Sequence, residues 1–105
     1  MSERSIQATL IRRRRGKVLE LLRACEPHAI ADAQDLYRLL QDVGETLTLD
    51  DLVTLLRDLK GRDCVKFNSA YDPRRPLPVI TLIRLTPRGR DVLDGSLDDA
   101  GIDTR

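Results

Sequence analysis

Four consecutive arginines, Arg12 to Arg15, and a second pair, Arg74 and Arg75, set between prolines, are the residues of this chain best suited to chemistry. A guanidinium is permanently charged and presents a planar fork of donors, so its natural partners are phosphates and carboxylates. Several such groups along a nucleic-acid backbone would each displace counterions and bind by doing so. Covalent chemistry finds no comparable set. There is one histidine, His28, no glycine-rich phosphate loop, no spaced metal ligands and no nucleophile elbow, so no reaction can be assigned and no cofactor is expected. His28, beside Pro27, reads as a surface loop residue. Cys25 and Cys64 lie far apart without a C-x-x-C, which suits small core fillers in a reducing compartment better than a metal site or a disulfide. The chain reads as a non-enzyme.

The net charge of +1 conceals a pattern. Through Cys25 there are seven basic residues and two acidic ones; from Asp32 to Asp63 there are four basic and eight acidic. From Cys64 to Arg90 the balance returns to six basic and one acidic, and from Asp91 onward five acids stand against Arg105 alone. Any anion-binding surface must therefore come from the first and third of these blocks. The basic run follows the apolar residues of SIQATLIRRRR, the reverse of a signal peptide, and no apolar stretch approaches the roughly 20 residues that span a bilayer. A cytoplasmic protein is expected, with no membrane partner.

The elements that must carry these residues follow from periodicity. Residues 5 to 25 read as a first helix, with Leu10, Ile11, Val18, Leu21, Leu22 and Cys25 on one face. Arg14 projects onto that apolar side, so either it snorkels, or the helix bends or begins nearer Gly16. His28 to Ala31 could form a very short strand. Asp32 is placed to cap a second helix whose inward stripe is Ala33, Leu36, Leu39, Leu40 and Val43, with Tyr37 at its margin and Gly44 as its C-terminal cap. Thr48 and Asp51 form a capping box for a third helix with Leu49, Leu52, Leu55, Leu56 and Leu59 inward. CVKFNSAY alternates as a strand with Val65, Phe67 and Tyr71 on one side, DPRRPLP is a turn-rich tip, and VITLIRL is the return strand. Thr86 and Pro87 start a short last helix closed by Gly95, and the acidic segment 96–105 is expected to be loosely held. Leu36, Leu40, Leu52, Leu56, Leu59, Val65, Ile83 and Leu85 should be buried together. With so few aromatics the core must be aliphatic.

Helix, short strand, helix, turn, helix and hairpin describe a winged helix-turn-helix: mainly α, with a small antiparallel hairpin, over residues 1–95. LTPRGRDVLDG at 85–95 resembles the LTPxGxxxL helix into which many winged-helix domains return from the wing. VLELLRAC at 18–25 and TLDDLVTLLRDL at 48–59 are similar, more loosely, to small winged-helix proteins of Mu-like transposable phages. In those proteins a basic first helix ends in R-x-x-x-L-x-L-L and the third follows [ST]-x-D-x-[LV]-x-T-x-L-x-x-L. The glycine usual after the third helix is displaced here to GRD at 61–63, and the hairpin tip is longer and richer in proline. The resemblance implies binding or regulation of DNA and no enzyme, in a bacterial host cytoplasm.

On that plan duplex DNA would meet Arg12, Arg13, Arg15 and Lys17 on the first helix, Thr48, Thr54 and Arg57 on the third, and Lys66, Arg74 and Arg75 on the hairpin, with Asn68 and Arg84 beside them. The third helix raises a difficulty. Its outward positions, Asp50, Asp51, Thr54, Arg57, Asp58 and Gly61, hold one base against three acids, and phosphate repels such a face. The competing reading is a protein-interaction module that offers this acidic helix to a basic partner or to itself. Leu10, Ile11 and Leu19 are more apolar surface than a free first helix needs, so a homodimer through its N-terminal part is also expected.

Overall fold

Four helices and three short strands run in the order α1 (Glu3–Cys25), β1 (Ile30–Asp32), α2 (Ala33–Asp42), α3 (Leu49–Gly61), β2 (Val65–Ala70), β3 (Val79–Leu85) and α4 (Pro87–Asp94). The computed structural model describes residues 2–104. Local chemistry sets the boundaries. The Asp32 carboxylate accepts from the Asp35 N–H at 2.8 Å, and Thr48 and Asp51 complete the reciprocal box that opens α3. Thr86 accepts from the Gly89 N–H at 3.1 Å, with Pro87 in the first turn of α4. Gly44 ends α2 in the left-handed region at φ 88°. After α3 that conformation falls to Asp63, at φ 60°. Aspartate is one of the few side chains to visit this region readily. The Asp63 and Cys64 N–H groups reach back to the carbonyls of Lys60 and Leu59, at 3.0 and 2.9 Å, so the cap is complete without the glycine.

The sheet is antiparallel in the order β1-β3-β2. The hairpin expected from sequence is therefore two strands of a three-stranded sheet, because β1 adds to the free edge of β3 through Ile30 opposite Ile83 and Asp32 opposite Thr81. Between the pairs Lys66–Arg84 and Asn68–Thr81, β2 has one residue and β3 has two, which makes a bulge. Leu82 sits in it at φ 54° and is 49% exposed.

α1, α2 and α3 close over the inner face of this sheet. All eight residues expected to share the core are buried, Leu56 completely. Five side chains depart from expectation, the first being Ile11, placed on the apolar face of α1 but 37% exposed. Leu19, placed on the outer side, is fully buried, because α1 is covered by α2 and α3 on one flank and by α4 and the C-terminal segment on the other, which widens its buried arc. Val53 on α3 is buried as well. Val43 is exposed because it lies past the last turn of α2, as its C-cap, and Tyr71 is 84% exposed because β2 ends at Ala70. α1 runs unbroken from Glu3 and does not start late at Gly16.

Where the sequence suggests a loosely held tail over 96–105, residues 99–103 pack against the rest of the molecule; Arg105 lies outside the described residues. Ile102 joins the core, Asp99 is ion-paired with Arg62 at 2.6 Å, and the Asp103 N–H donates to the Arg12 carbonyl at 3.1 Å. The segment crosses α1 at Gly16, where a Cβ would lie 1.8 Å from the Asp103 carbonyl oxygen. Only glycine permits that approach. Gly89 does the same for α4, since a Cβ there would come within 2.2 Å of the Cys64 carbonyl. No helix is long and apolar enough to cross a membrane among the described residues.

Candidate nucleic-acid interface

The arginine run is drawn into the fold. Glu45, 6% exposed in the turn between α2 and α3, faces Arg13 at 3.2 Å and Arg14 at 3.9 Å, and Arg14 also donates to the Thr46 carbonyl. Arg14 thus neither snorkels to water nor disturbs the helix; its guanidinium holds the turn. Arg15 bridges α1 to α3 and to the C-terminal segment, donating to the Asp58 carboxylate and the Gly101 carbonyl, each at 3.0 Å. Its side chain is only 14% exposed. Arg12 is exposed and donates to Thr9 at 3.3 Å, and Lys17 pairs with Glu20 at 3.1 Å. Of the first-helix candidates, Arg12 and Arg13 remain open to solvent, while Arg15 serves the interior.

The same contacts change the electrostatics of α3. Asp58 is turned toward Arg15, and Asp51 is engaged in the capping box. Asp50 lies in the first turn, where the positive end of the helix dipole favours an acid. Arg57 is exposed and has no ion pair among the described residues. Thr54 is exposed and donates to the Asp50 carbonyl at 3.2 Å, while Thr48 is committed to its cap. Of the three acids that sequence assigns to this face, Asp58 alone is ion-paired among the described residues, while Asp51 is held in the cap.

The hairpin behaves in the opposite way. Lys66 and Arg84 are direct cross-strand partners, both exposed, and neither has an ion pair among the described residues. Arg74 is exposed, with its backbone N–H bound to Asp72 at 2.9 Å, and Arg75 lies 3.7 Å from the same carboxylate with 61% of its side chain exposed. The proline tip folds toward the start of α3, so that Arg75, Leu49 and Val53 line one cleft of about 440 Å³. Lys60 lies 4.7 Å over the Phe67 ring, a cation–π contact at the base of the hairpin.

Three titrations are displaced, that of Arg90 upward by its hydrogen bond to Glu26. The hydrogen bond from Arg90 on α4 holds the Glu26 carboxyl below its ordinary value, and burial pushes the Cys64 thiol up. Glu26 lies apart from the basic hairpin, whereas Cys64 directly precedes β2 with its thiol buried at the hairpin base; Cys25 and Cys64 are free thiols. Sequence reading missed Glu45, the acid that takes Arg13 and Arg14, since nothing local marks a turn residue as the counter-ion of a helix 32 positions away. No family model matches the chain, and neither the curated proteins nor the solved structures contain a match.

Proposed function

We propose that this chain is a winged helix-turn-helix protein that binds duplex DNA and acts in its regulation, with the hairpin as the main phosphate contact. The observation that carries the reading is the Lys66–Arg84 pair. Like charges directly opposite each other on a sheet are destabilising, and in a molecule that pairs Arg13, Arg14 and Arg15 internally this one is left open to an external anion. Arg74 and Arg75 extend the same basic edge to the tip, and Arg57, Arg12 and Arg13 are further exposed cations on α3 and α1. The element order, with a strand between the first two helices and a hairpin after the third, supports the winged-helix assignment, and the LTPRG sequence at 85–89 agrees with it. The likeness to proteins of Mu-like phages rests on the motifs alone.

The reading in which α3 offers an acidic face to a basic protein is weaker. Two of its three acids already have partners. Fluorescence anisotropy with random duplex at low and moderate salt tests the proposal. Binding should be lost as salt rises, and replacing both Arg74 and Arg75 by alanine should weaken it about equally on unrelated sequences. Failure of the folded wild-type protein to bind at low salt would overturn the reading in favour of an interaction module.

A further inference from the structure

The N-terminal half of α1 stands clear of the molecule. Every residue from Ser2 to Thr9 is exposed, including Ile6 at 54%, and Leu10 is only partly covered. A helical arm of this length is marginal in water without tertiary support, since isolated helices shorter than about 12–15 residues rarely persist. Among the described residues its aids are local: the Ser2 cap, the Thr9 hydroxyl donating to the Ser5 carbonyl at 2.8 Å, and Arg12 donating to that hydroxyl at 3.3 Å. Helical spacing places Glu3, Ile6, Leu10 and Arg13 within about 80° of one another, a single stripe. That stripe is self-complementary. Glu3 and Arg13 are equidistant from position 8, and so are Ile6 and Leu10. Rotation about a two-fold axis at that position sets acid against base at both ends and apolar against apolar between them.

We propose that this arm pairs antiparallel with the arm of a second copy of the chain, with Glu3 against Arg13 and Ile6 against Leu10 of the other copy. Such an interface is isologous and closes on itself. A parallel pairing would oppose Glu3 to Glu3 and Arg13 to Arg13, and a partner of other chemistry would not explain the symmetry of the stripe. Arg13 pairs with Glu45 at 3.2 Å, yet more than half of its side chain is exposed, which leaves guanidinium donors for a second carboxylate. Two short arms bury less than the roughly 800 Å² per partner of a standard stable interface, so the dimer is weak and concentration-dependent.

Sedimentation equilibrium on the full chain across a wide concentration range tests this, with circular dichroism confirming the fold of each variant. The wild type should dimerise reversibly, and Ile6→Glu should be monomeric. Glu3→Arg and Arg13→Glu should each weaken the dimer about tenfold or more, whereas an equimolar mixture of the two should form a heterodimer, because both of its end pairs are then opposite in sign. The double swap on one chain should dimerise like the wild type. Arg13→Glu meets the buried Glu45 and could unfold the turn; in that case Glu3→Arg and Ile6→Glu still decide. A wild-type monomer at every concentration overturns the proposal, and so does a dimer indifferent to Ile6→Glu or Glu3→Arg. DNA binding is not the readout, so failure here leaves the proposed function standing or falling separately.

Discussion

The arginines of α1 and the cations of the hairpin carry similar charge and opposite commitments. Arg14 and Arg15 are largely buried, and with the more open Arg13 they tie α1 to the α2–α3 turn, to α3 and to the C-terminal segment. Lys66 and Arg84 touch no acid among the described residues and stand opposite one another. A run of like charge in a sequence therefore measures supply, while availability depends on which carboxylates the fold brings within reach. Half of the densest basic stretch of this chain, Arg14 and Arg15, is withdrawn from any ligand.

The comparison can be broken most forcefully at Arg15. Arg15→Ala removes a charged donor that serves both Asp58 and the Gly101 carbonyl from a site that is mostly covered, and should cost about 2–3 kcal/mol of unfolding free energy in urea titrations. Duplex affinity at a temperature where the variant is folded should change little. A large loss of DNA binding with intact stability would reverse the roles assigned to the two regions. Gly16→Ala should come next, at about 1–3 kcal/mol, even though alanine is the better helix former. Its Cβ would collide with the Asp103 carbonyl and lift Ile102 from the core, so faster amide exchange over residues 99–104 is the expected signature.

At the hairpin the sign of the stability effect turns over. Replacing Lys66 or Arg84 by alanine should leave stability unchanged or raise it by a few tenths of a kcal/mol, since the cross-strand repulsion is relieved. If both contact phosphate, replacing the two together should lower the slope of log affinity against log salt by about 1.8, or about 0.9 for each. The smallest effect belongs to the exposed pair Glu26–Arg90, which joins the end of α1 to α4. The folded-state pKa of Glu26 lies below its ordinary value of 4.5, so any stabilisation is present above that value and is lost as pH falls through the lowered one. The difference in melting temperature between wild type and Glu26→Gln should accordingly be seen at neutral pH and close in acid.

Features that depend on neighbouring residues were legible in the sequence. The caps at Asp32, Thr48 with Asp51, Gly44, Thr86 and Gly95 each need only a few adjacent positions, and the leucine spacing of α3 marked Leu52, Leu55, Leu56 and Leu59 as inward. What could not be read was set by segments far away in the chain. Leu19 is buried because a second flank of α1 is covered, and Asp58 is ion-paired because Arg15 reaches it from 43 positions earlier. The candidate site shared this limit. Its residue types were visible, but which cations are free depends on distant acids such as Glu45, and no periodicity reports that.

The crossing at Gly16 also bears on the order in which the molecule can be completed. Arg15 and the Gly101 carbonyl are 86 positions apart, close to the largest separation the described chain permits. During synthesis α1 emerges first, and its middle turns must wait for residues 99–104 before that flank closes. Contacts of such long range are entropically slow to form. Until they do, the arginines that later brace the interior are exposed beside uncovered leucines. A nascent chain stalled before the crossing would therefore expose the basic, apolar surface most prone to stray association, and would be the natural substrate for a chaperone or protease.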